Sequence, residues 1–114
     1  MLMRRLGAAA AGVSMLGTVA TLASAAGSVS GTSIQSVTAQ SDGTVIVLFT
    51  NFIPGRPSCA GSTNEMVFNS TTAAGKTLLS VVTSAFLAAK TVNAAGTGTC
   101  TGPRENMGSI TILP

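Results

Sequence analysis

Beyond about residue 25, the apolar positions of this 114-residue chain fall into short runs separated by Gly, Pro, Ser, Thr and Asn. Ile34, Val37 and Ala39, set among Ser, Thr and Gln, predict a weak strand over 31–40. Ser41-Asp42-Gly43 then predicts a hairpin, because Asp-Gly suits the positive φ angles of a type I′ turn. The run at 44–49 (T-V-I-V-L-F) is apolar on both faces, as in a central strand. Residues 51–64 form a loop punctuated by Pro54, Gly55, Pro57 and Gly61, and 65–70 (E-M-V-F-N-S) read as a third strand. Thr71 or Thr72 can cap a helix over 73–89, where Leu78, Leu79, Val82, Phe86 and Ala89 recur at helical spacing. A fourth strand is expected over 91–95, a turn at Gly96–Gly98, a polar loop over 102–106 and a fifth strand over 107–113.

The predicted order is therefore β-β-β-α-β-β. A helix between the third and fourth of five short strands is the order of the OB-fold, a small Greek-key barrel. The expectation is a mainly β fold with one helix, built as a five-stranded OB-fold-like barrel. A helix packed on an open antiparallel sheet is the alternative; closure is preferred because it removes poorly guarded strand edges.

The first 25 residues follow a different pattern. Arg4 and Arg5 precede an uncharged stretch from Leu6 to Leu22, and Ala23-Ser24-Ala25 matches the A-x-A pattern that a signal peptidase accepts. A cut after Ala25 is expected, with Ala26 next in order. A membrane anchor is the rival reading, but the stretch is diluted by Gly7, Gly12, Ser14, Gly17, Thr18 and Thr21. The organisation expected is a signal peptide over 1–25, a flexible leader over 26–33 and one OB-fold-like domain over 34–114. The implied location is the periplasm or the outside of a bacterial cell, with no stable membrane anchor.

Cutting the leader changes the charge picture. The whole chain carries +3, but without Arg4 and Arg5 the basic residues are Arg56, Lys76, Lys90 and Arg104. Set against Asp42, Glu65 and Glu105 they leave +1, too little for a nucleic-acid footprint. Roughly 90 residues make one domain with a thin stability margin. Cys59 and Cys100 are the only cysteines, and in an oxidising compartment they have one possible pairing. A disulfide closing a loop of roughly 40 residues contributes about 4 kcal/mol in the chain-entropy model.

Candidate chemistry is sparse. With no His, Tyr or Trp and no third Cys, neither a metal site nor most acid–base or nucleophilic machinery can be assembled, and no cofactor is expected. Only a Ser-Lys arrangement using Lys76 or Lys90 stays open, so the chain is read as a non-enzyme. Gly96-Thr97-Gly98 lacks the third glycine of a dinucleotide fingerprint and reads as a hairpin turn. Asn69-Ser70-Thr71 matches a glycosylation sequon, which carries little meaning in a bacterial host. For ligand binding, Phe52 is the candidate exposed aromatic, against the plainer reading of a loop side chain folded onto the core. Arg56 beside it could hold an anionic group, against the plainer reading of a solvated loop charge. The helix face carrying Thr77, Ser80, Thr83 and Ser84 would allow close packing of copies into a ring.

The element order, the export signal and the spacing of Cys59, Met66-Val67-Phe68, Lys76, Leu79, Ala85, Lys90-Thr91-Val92, Cys100 and Ile110-Thr111-Ile112 resemble the OB-fold B subunits of bacterial AB-type toxins. The layout is similar to that of subtilase-cytotoxin-like B subunits and of a group of small exported bacterial proteins. The resemblance implies a homopentamer that binds glycans on cell surfaces. The functional expectation is a non-enzymatic, exported binding or self-associating module. A structural or envelope-associated protein without a specific ligand is the alternative.

Overall fold

The computed structural model describes residues 25–114; the signal peptide expected over 1–25 lies, Ala25 apart, outside the described residues. The elements are β1 (Ser28–Ala39), β2 (Thr44–Phe49), β3 (Glu65–Asn69), α1 (Ala73–Leu87), β4 (Thr91–Thr101) and β5 (Arg104–Ile112). The protein is mainly β, with five strands in one sheet, a single helix among the described residues and a Cys59–Cys100 disulfide. The strands pair in the order β1-β2-β3-β5-β4, and β4 pairs back onto β1, so every strand has a partner on each side. Only the β3–β5 pair is parallel.

Closing this ring requires β1 to serve two partners. Its second half pairs with β2, from Ile34↔Phe49 to Ala39↔Val45, and its first half pairs with β4, from Ser28↔Ala95 to Ser33↔Thr91. Register shifts between Val29 and Thr32 and between Ile34 and Ser36 let one strand bend between them. From Ser28 onward, the stretch expected as a loose leader is thus a paired strand. Its only large apolar residue is the buried Val29, and the strand forms because β4, which is distant in the chain, lies alongside.

The β1–β2 turn has three residues rather than two. The Gln40 N–H donates to Thr44 O, and the Gly43 N–H donates to Gln40 O. Gly43 alone takes a positive φ, 93°, so the turn is a tight turn closed by a glycine bulge and not the expected type I′. Asp42 Oδ1 accepts the Thr44 N–H at 2.9 Å, and this bond holds the Asp42 carboxyl below its usual pKa. In β2, Val45, Val47 and Phe49 are buried while Ile46 and Leu48 are half-buried, as suits a strand paired on both edges.

β4 and β5 depart most from the pattern-based boundaries. β4 runs through Gly96-Thr97-Gly98, which is an irregular stretch of strand and not a turn. The reversal comes at Gly102-Pro103, and β5 starts at Arg104, inside the segment expected as polar loop. Glu105 is thereby placed on the inner face.

α1 begins at Thr72, whose Oγ1 accepts the Gly75 N–H at 2.9 Å. The helix buries Gly75, Val82 and Ala85, with Leu78 and Leu79 packed against the same core. The expected stripe is therefore rotated. Ala85 faces inward, while Phe86 is 41% exposed and Ala89 lies beyond the helix end. A small residue at 85 lets the helix sit close to the sheet, against a core formed by Val45, Val47 and Phe49 of β2, Met66 and Phe68 of β3, and Val92 and Ala94 of β4. At the C-terminus, Lys90 N–H bonds to Ala85 O and Ala89 N–H to Phe86 O, a Schellman ending.

That ending places Ala89 at φ 54°, a position where glycine is usual. Left-handed backbone costs an alanine about 1–2 kcal/mol, partly offset by the greater freedom of glycine in the unfolded chain. Ala89→Gly is expected to stabilise the domain by about 0.5–1 kcal/mol, read as a rise in thermal midpoint. The disulfide, with a separation of 41 residues, ties the β2–β3 loop to the end of β4. Its reduction is expected to cost about 4 kcal/mol, measured by denaturant unfolding with and without reductant.

Candidate functional site

Phe52 and Arg56 lie in the β2–β3 loop, and the structure brings them together. The Arg56 guanidinium carbon sits 4.5 Å from the centroid of the Phe52 ring. Phe52 is 61% exposed; its neighbour Ile53 is the residue that folds into the core. Arg56 Nη1 donates to Ile53 O at 3.0 Å and to Thr63 O at 3.5 Å, and Nε donates to Ala60 O at 3.3 Å. These bonds make the arginine a brace across its own loop, with the exposed aromatic stacked on it.

A more concave surface lies at the other end of β3. The β3–β5 pairing covers only Met66↔Glu105 and Val67↔Asn106. Where it stops, the N-terminus of α1 closes over a groove of about 220 Å³, lined by Val67, Phe68, Asn69, Thr72, Ala74, Gly75, Leu78, Asn106 and Met107. A second depression of about 110 Å³ shares Val67, Phe68, Asn69 and Asn106 and adds Thr44 and Thr101. None of these residues is charged.

The amides of this groove are held by local bonds. Asn106 Oδ1 accepts from Thr101 Oγ1 at 2.7 Å, and its Nδ2 donates to Thr99 Oγ1 at 3.0 Å. Asn69 Oδ1 accepts from Thr71 N at 2.8 Å and from Thr71 Oγ1 at 2.6 Å. The groove thus sets amide and hydroxyl groups, fixed by local bonds, above apolar side chains. Nothing in the sequence pattern marked it, because β3 and β5 become neighbours only through the parallel pairing.

The acidic residues are dispersed. Glu65 Oε1 accepts from Arg104 Nε at 2.9 Å, a partly exposed pair worth at most about 1 kcal/mol. Asp42 belongs to the β1–β2 turn. Glu105 is fully buried, and its carboxyl lies in a cradle made by three glycines. The Gly27 N–H is 3.1 Å from each oxygen, and the Gly98 N–H is 2.9 Å from Oε2. Gly98 has φ 86°, which turns its N–H inward. A Cβ on Gly96 would overlap the Glu105 carboxyl itself. The available sequence signal was parity, since Glu105 shares a strand face with the buried Met107.

Among the described residues there is no cluster of three metal-ligating side chains, and no helix long and apolar enough to cross a membrane. Lys76 and Lys90 are exposed and lie beside opposite ends of α1.

The cradle makes a sharp contrast between glycines. Gly96→Ala is expected to destabilise the domain by about 2 kcal/mol or more, because the added methyl meets packed atoms. Gly61→Ala meets nothing nearer than the Pro103 side chain at 3.9 Å and is expected to stay within about 0.5 kcal/mol of wild type. Denaturant melts of the two variants check both values.

Comparison of the chain with protein-family models, with curated proteins and with solved structures found no match.

Proposed function

We propose that this protein is an exported, non-enzymatic binding module of the OB-fold type, and that its ligand is a glycan or a similar hydroxyl-rich surface group. The fold assignment is supported by the strand order β1-β2-β3-β5-β4, the parallel β3–β5 pair and the helix between β3 and β4. OB-fold barrels bind ligands on the face of strands 2 and 3, between the turns joining strands 1–2 and 4–5.

The observation that carries the reading is the position of the groove. Val67–Asn69 of β3 line it, and the depression that shares these residues extends to Thr44 at the start of β2 and Thr101 at the β4–β5 turn. The argument from fold is an analogy, and the site chemistry must stand beside it. That chemistry is uncharged, with asparagine and threonine groups over Val67, Leu78 and Met107, and it matches sugar hydroxyls better than phosphates or peptides carrying charge. The dispersal of Asp42, Glu65 and Glu105 over three separate settings supports binding without catalysis. Assembly into a ring of copies, as the toxin resemblance implies, is part of the proposal and would multiply weak sites through avidity.

The test is glycan-array binding by the oxidised protein, with its mass in solution read by light scattering. Ala74 is exposed on the groove wall, so Ala74→Trp fills the groove from the helix surface. It is expected to weaken binding at least about tenfold, whereas Phe52→Ala is expected to leave binding intact. A monomer that binds no glycan would leave the structural or envelope role instead. Loss of binding in Phe52→Ala but not in Ala74→Trp would move the site to the β2–β3 loop.

A further inference from the structure

Gly27 is the first buried residue of the described chain, and Ala25 and Ala26 before it are exposed. Its nitrogen stands 3.1 Å from both Glu105 oxygens. An amide nitrogen carries one hydrogen, so two acceptors share it, and only the Gly98 N–H adds another donor. Among the described residues, the one ion pair joins Arg104 to Glu65, and the guanidinium of Arg56 is on loop carbonyls. Glu105 is therefore a fully buried carboxyl with two backbone donors and no side-chain cation. Such a group is costly to bury. A nitrogen equidistant from both carboxyl oxygens is where a cation would stand.

The sequence provides a way to make that nitrogen a cation. Ser24 and Ala26 are small residues at the third and first positions before the Ala26–Gly27 bond, the pattern a signal peptidase accepts. We propose that the mature protein begins at Gly27 and that its α-ammonium group forms a buried ion pair with the Glu105 carboxylate. The peptidase hydrolyses the Ala26–Gly27 bond. The C–N bond breaks, the water oxygen joins the Ala26 carbonyl carbon, and the departing Gly27 nitrogen takes a proton. The new Ala26 acid ionises as the amine is protonated, because an α-carboxyl titrates near ~3.5 and an α-amine near ~8. One shared hydrogen becomes up to three donors with a full positive charge. Gly27 is buried in the folded domain, so the cut precedes folding.

This moves the cut one residue beyond Ala25. A cut after Ala25 would leave Ala26 as an exposed stub and Gly27 as a neutral amide. The inference rests on the export part of the proposed function and is independent of the groove.

The full-length chain exported in a bacterial host is expected to give an intact mass that starts at Gly27. A mature chain starting at any other residue overturns the proposal, and an uncut chain overturns the export reading with it. The mature protein is then compared with the same domain carrying Ala25-Ala26 at its start. The extension is expected to lower the thermal midpoint by on the order of 5 °C. In Glu105→Gln the extension is expected to make no difference. An extended chain as stable as the mature one, or a penalty that persists in Glu105→Gln, overturns the pair. Acylation provides a measurement without a variant. The Gly27 amine of the folded protein is expected to react at least tenfold more slowly than in the unfolded protein, with the exposed Lys76 and Lys90 as internal standards. Equal reactivity in the two states overturns the ion pair.

Discussion

The arrangement depends on the place where the start of the described chain meets β4 and β5. Gly27 and Ser28 enter beside Gly96–Gly98 of β4 and Glu105 of β5, and the Gly96 N–H donates to Gly27 O at 2.8 Å. These contacts place β1 against β4. Without that pairing β1 would serve only β2, and β4 would be left with an open edge. The glycines matter here for what they lack, because a side chain at 96 would take the space that the carboxyl fills. A polar group at the centre of the closure also fixes its register more narrowly than valine or alanine contacts could, since its donors must fall within hydrogen-bond distance.

A second consequence concerns a core of modest bulk. Alanine stands at inward positions 85 and 94, and Ile53 reaches the core from a loop. The β2–β3 loop is the longest irregular segment described, and it is held at several points. Cys59 ties it to β4, Arg56 bridges three of its carbonyls, and the Asn64 amide bonds to Phe49 O. In a domain this small, such fastenings replace part of the apolar burial that a larger core would supply.

The legible parts of the sequence were those whose structure is decided locally. β2 matches its run of β-branched and apolar residues, and Thr72 caps α1 where its hydroxyl could reach the first turn. The cysteine pairing followed from there being only two. What escaped was decided by distant partners. Ser28–Ser30 has no strand pattern of its own, Gly96–Gly98 resembles a turn, and Glu105 in a polar stretch resembles loop. The rotation of α1 escaped for a steric reason, since bulk alone favours Phe86 over Ala85, yet close approach to the sheet requires the smaller residue. Phe52 and Arg56 were recognisable as neighbours, whereas the groove needed the parallel β3–β5 pairing before it could exist.

The span between Gly27 and Glu105 also has a kinetic meaning. A contact across 78 residues forms only after nearly the whole domain is available, and contacts of such long range slow folding. As the chain is made from its first residue onward, β1 must wait for β4 and β5 before its first half has a partner. The ring thus closes last, and until it does the first half of β1 and the outer edge of β4 both lack a neighbour.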